Sequence, residues 1–83
     1  MPHVPTDAEL EKAVQDLKSL GGDEDQYALD VGISRPTFRR WIQGGSDLPQ
    51  KPNSRKGFLD GLKHAHAEQL MRNARKTRRG VND

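Results

Sequence analysis

Residues 24–43 read Glu24-Asp-Gln-Tyr-Ala-Leu-Asp-Val-Gly-Ile-Ser-Arg-Pro-Thr-Phe-Arg-Arg-Trp-Ile-Gln43. Two helix starts are written into this stretch. Asp23, just upstream, is an N-cap, with Gln26 placed to reach back to it. Ser34 is a second N-cap, and Pro36 sits in the first turn after it, where its missing N–H costs nothing. Between the two segments Gly32 suits a left-handed turn that other residues adopt only at a cost. Tyr27, Ala28 and Val31 make the apolar side of the first segment, and Phe38, Trp41 and Ile42 that of the second. Ala28 is small enough to let the two helices approach, and Ile33 fills the angle between them. Ser34, Arg35, Arg39, Arg40 and Gln43 are left on the outward side of the second helix.

Working outward, the residues on either side also read as helix. Thr6 caps a segment in which Leu10, Ala13, Val14, Leu17 and Leu20 recur at helical spacing, which predicts a helix over Asp7–Leu20 ending at Gly21-Gly22. Gly44-Gly45 closes the central pair, and residues 44–53 read as a linker with Pro49 and Pro52. Ser54 is the cap of a last helix, whose apolar positions are Phe58, Leu59, Leu62, Ala65, Leu70 and Met71. Gly57 and Gly61 weaken its first turns. After Met71 the sequence is basic with no large apolar partner, and it is expected to fray into a tail. No segment has strand periodicity. The expected fold is therefore all-α, a four- to five-helix domain with a helix-turn-helix at about 24–43. The expected organisation is an N-terminal tail (1–5), one domain (6–71) and a basic C-terminal tail (72–83).

Composition narrows the function. The chain has 83 residues and a formal charge of +2, but the sign is unevenly spread. Residues 1–30 hold two Lys against eight acids, a net −6, and residues 31–83 hold twelve Lys and Arg against four acids, a net +8. A basic half-chain points to a polyanion, although charge alone fits a solvated surface equally well. Cysteine is absent, which excludes disulfides and thiolate metal sites. His64 and His66 are two apart, so they fall about 200° apart around a helix and cannot share a metal. No Ser/His/Asp arrangement and no phosphate-cradling glycine loop is present, so no enzyme activity, cofactor or small-molecule substrate is expected. No apolar run approaches a membrane span and no signal-peptide core follows Met1, so a cytoplasmic, membrane-free protein is expected. Trp41, the sole tryptophan, falls on the Phe38/Ile42 side and is expected in the core rather than as a stacking platform.

Ala28, Gly32, Ile33, Phe38 and Trp41, with Tyr27 and Val31 in support, resemble the helix-turn-helix of phage and plasmid repressors, the Cro/CI-like group. The likeness is strict over about twenty residues and looser over the flanking helices. Trp41 is bulkier than the aliphatic residue common at its place, and Pro36 is unusual so early in a recognition helix. The resemblance implies a repressor that binds double-stranded DNA, with the second helix in the major groove. It places Ser34, Arg35, Pro36, Arg39, Arg40 and Gln43 against base edges. Gln26, Thr37, Lys51, Arg55 and Lys56 are the candidates for phosphate contact. A homodimer on a palindromic operator is expected, with Leu59, Leu62, His66 and Leu70 at its interface. Ser-Arg-x-Thr-Phe-x-x-Trp-Ile before a Gly/Pro loop is also similar to MerR-related excisionases, in which a β-wing succeeds the helix. A protein-interaction module, such as an antitoxin or a polymerase-binding regulator, is the third reading.

Overall fold

The computed structural model describes residues 3–43 and 47–82, the side chains of 76–82 excepted. Four helices follow one another: α1 (Asp7–Lys18), α2 (Glu24–Val31), α3 (Arg35–Ile42) and α4 (Pro52–Asn82). No strand occurs among the described residues. The linker therefore leads into a helix over residues 52–82 and not into a β-wing. The Gly44-Gly45 stop lies outside the described residues.

Local chemistry sets the helix starts. The Thr6 hydroxyl accepts from the Glu9 N–H, Asp23 accepts from the Asp25 N–H, and Ser34 accepts from the Thr37 N–H. The reach-back expected of Gln26 is absent, because its amide donates to Asp30 one turn on. Helix α1 stops at Lys18, two residues early. Leu20 and Gly21 bond back to the carbonyls of Leu17 and Lys18, and Gly21 takes φ 73°. Helix α4 starts three residues early, at Pro52, a residue suited to the first helical position, so Ser54 lies inside the helix and does not cap it. The His3 imidazole is hydrogen-bonded to Glu9 and holds that carboxyl below its usual range.

One core joins all four helices. Leu10, Val14 and Leu17 of α1 meet Tyr27 and Ala28 of α2, Phe38 and Ile42 of α3, and Phe58, Leu62 and Ala65 of α4. Leu48 joins them at 3% exposure, although it lies in the segment read as linker. Trp41 is only half-buried; its ring meets Phe58 edge-on at 5.0 Å between centroids.

Two polar clusters extend what the apolar residues begin. The Arg55 guanidinium donates to the carbonyls of Pro5 and Pro49 and to the Asp7 carboxylate, which ties the N-terminal segment and the linker to α4. At the other end Arg72 bonds Asp30 of α2 and Gln69, and Asn73 donates to the Leu20 carbonyl. Arg72 and Asn73 are thus part of the packed domain, where the sequence pattern suggests a tail. Helix α4 runs on to Asn82, beyond the end of its apolar spacing; Arg72, Ala74, Arg75, Lys76, Arg78 and Arg79 are good helix formers, whereas Asn73, Thr77 and Gly80 are not.

Gly57 and Gly61, both early in α4, have opposite meanings. A Cβ at Gly57 would meet nothing within 4 Å, whereas one at Gly61 would stand 2.7 Å from the Val31 side chain and 3.1 Å from its carbonyl oxygen. At Gly61, α4 passes Val31 of α2 with no room for a Cβ. Gly57→Ala is expected to raise stability by roughly 0.5–1 kcal/mol through helix propensity alone. Gly61→Ala brings the same gain but adds overpacking of about 1–3 kcal/mol, for a net loss. Thermal melts followed by far-UV circular dichroism should move in opposite directions for the two variants.

Candidate nucleic-acid interface

Helix α3 is held at both ends and along its inner side. Gly32 takes the left-handed conformation at φ 88°, and its N–H and that of Ile33 both bond the Ala28 carbonyl. The Ser34 hydroxyl then caps α3 and donates to the Thr37 hydroxyl. At the far end the Lys18 ammonium reaches from α1 to the Ile42 carbonyl, at 3.3 Å, where a helix terminus favours a cation. Phe38 is 2% exposed and locks the inner side. A short helix fixed this way can present side chains with little freedom of the backbone beneath them.

Its outer side is open. Arg35, Pro36, Arg39, Arg40 and Gln43 are all exposed and line one shallow depression. Five of the six expected base-edge residues are thus brought together. Ser34, the sixth, is exposed but commits its hydroxyl to the cap.

The phosphate candidates divide. Lys51 is exposed and Lys56 half-exposed at the start of α4, and neither lines the depression. Thr37 is bonded into the cap. Arg55 is corrected: its side chain is 12% exposed, with the guanidinium spent on two carbonyls and Asp7, so it is a structural tie. Gln26 is less favourably placed. It is half-buried and bonded to Asp30, and Asp23, Glu24 and Asp25 surround that helix start with negative charge. An anion is poorly served there, whatever the helix dipole offers.

Those acids are the feature that sequence reasoning missed. The Asp25 carboxylate lies 3.7 Å from the Arg35 guanidinium, and that of Glu24 3.9 Å from Arg39. Arg40 has no ion-pair partner among the described residues. An open cleft beside α3 is lined by Lys18, Asp23, Glu24, Asp25 and Arg39. The spacing from Glu24 to Arg39 is fifteen residues, and no local pattern marks it. Lys18 was missed for the same reason.

The expected dimer residues are also divided. Leu62 is corrected, because at 1% exposure it belongs to the core of this chain. Leu59 and His66 are half-buried on the rim of an open groove between α1 and α4, with Ala13 across from them. Leu70 is 48% exposed further along α4, and Met71 51% exposed. Leu29 on α2 is 69% exposed, an apolar residue no expectation covered.

Among the described residues, no group of three or more His, Asp or Glu could hold a metal, and no helix is long and apolar enough to cross a membrane. No family model matches the chain, and neither a curated protein nor a solved structure does.

Proposed function

We propose that this chain binds double-stranded DNA sequence-specifically through α3 and represses transcription as a homodimer on a palindromic operator. The observation that carries the reading is the convergence of Arg35, Pro36, Arg39, Arg40 and Gln43 on one open side of a helix anchored at both ends. Arginine can bridge O6 and N7 of guanine with two parallel bonds, and Pro36 can touch a thymine methyl. The chemistry needs no cofactor. Occupying a promoter is the simplest action such a domain can take.

The dimer rests on the apolar surface that α4 leaves uncovered. A single short helix reads only a few base pairs, so a second copy doubles both sequence information and phosphate contact. The groove rimmed by Leu59 and His66 lies between α1 and α4, and no residue of α3 lines it. Association there, extended by Leu70, keeps α3 free. The exposure of Leu29 favours a second reading, a module that docks on another protein through the outer side of α2.

Selection of duplexes from a random pool tests the first reading. The expected product is a palindrome whose half-sites are one helical turn, about 10 bp, apart, bound by a protein of dimer mass in sedimentation equilibrium at micromolar concentration. Failure to enrich any sequence would remove the DNA reading. Enrichment of a single half-site by a monomer would remove only the dimer.

A further inference from the structure

We infer that Glu24 and Asp25 set specificity, by making contact with DNA phosphates unfavourable for the same arginines that reach the bases. The inference rests on the DNA-binding reading above. Glu24 and Asp25 open α2, yet their carboxylates stand 3.9 Å and 3.7 Å from the guanidinium groups of Arg39 and Arg35 on α3. The side chains are half exposed or more, apart from Asp25 at 44%, so these pairs hold the arginines only weakly. Their effect is through charge placed near the reading surface.

Geometry gives the range. A phosphate that accepts from Arg39 at about 3 Å comes within about 7 Å of the Glu24 carboxylate. That is inside the Debye length of about 10 Å at 0.1 M salt, so the repulsion is not screened away. A guanine edge in the same place offers neutral acceptors, and the two carboxylates oppose it far less. An exposed cytosine amino group would even be attracted. Sequence-independent binding lives on phosphate contacts, whereas discrimination lives on base edges. Acids beside the arginines therefore depress the first more than the second. Arg40, which has no such partner among the described residues, keeps its full charge for either.

The test compares the parent with Glu24→Gln/Asp25→Asn by fluorescence anisotropy on two duplexes, one enriched from a random pool and one of scrambled sequence. At 0.1 M salt the variant is expected to bind the scrambled duplex roughly tenfold tighter and the enriched one less than threefold tighter, so that discrimination falls. The slope of log K against log salt should steepen by about one to two on the scrambled duplex, as one or two phosphate contacts are gained. Asp60→Asn/Glu68→Gln removes the same two charges from α4, at residues that line neither the groove nor the depression on α3, and should leave the scrambled-duplex affinity within twofold, which separates local from net charge. A circular dichroism melt shows that the variants are folded. Equal gains on both duplexes, or none on the scrambled one, overturn the inference while the DNA reading stands. If the parent enriches no sequence and binds scrambled DNA no better than Arg39→Ala/Arg40→Ala, the DNA reading fails and the inference falls with it.

Discussion

Phe58→Ala is expected to leave little folded protein at room temperature. Phe58 is 2% exposed and lies where α4 meets the rest of the core, with the Trp41 ring against it. Truncating a buried phenylalanine costs about 3–5 kcal/mol, from lost transfer energy and from the cavity left behind. A domain of 83 residues has about 4–12 kcal/mol of stability in all, and one with this few large apolar residues sits low in that range. Urea unfolding followed by Trp41 fluorescence should show a midpoint close to zero denaturant. Trp41→Ala should cost about half as much, since that side chain is only partly buried. The sequence pattern places Trp41 in the core; the structure leaves it partly exposed against the buried Phe58. A cooperative melt of Phe58→Ala near that of the parent would mean that α4 does not dock as described.

Arg39→Ala/Arg40→Ala should abolish recognition of an enriched duplex without harming the fold. Both side chains are exposed, and the long pair of Arg39 with Glu24 adds little stability. Each bidentate base contact is worth about 1–3 kcal/mol, so the double variant should lose roughly one and a half to four powers of ten in affinity. Replacement by lysine separates two ways in which the arginines can act. Lys keeps the charge but not the planar fork, so Arg40→Lys should bind scrambled DNA as the parent does and lose the enriched sequence. Full affinity of the alanine double variant would remove α3 as the reading element. Binding would then have to be sought elsewhere, beginning with Lys51 and Lys56.

The four helices were legible because each is fixed by residues within about four positions of one another. Thr6, Asp23 and Ser34 cap their helices as the sequence pattern predicts, and Gly32 takes the positive φ expected of it. Helical spacing likewise placed Leu10, Val14, Leu17, Phe38, Phe58 and Ala65 in the core. The outward side of α3 comes from the same periodicity, because a helix with one buried stripe must turn its other side out.

What the sequence could not show was set by partners far apart along the chain. Arg55 reads as a surface cation in a basic half-chain, yet it bonds a carbonyl fifty residues away. Leu48 lies in a linker with no period to mark it, and yet it is buried with residues of all four helices. Arg72 and Asn73 look like the start of a tail until Asp30 and the Leu20 carbonyl are brought beside them. The sequence alone determined that this is a helical protein with a basic helix turned outward, since caps, spacing and a left-handed glycine act locally. Only the tertiary structure decided which of its charges are free. A guanidinium or carboxylate is committed by whatever the fold places within about 4 Å of it, and that neighbour is chosen by packing rather than by sequence distance.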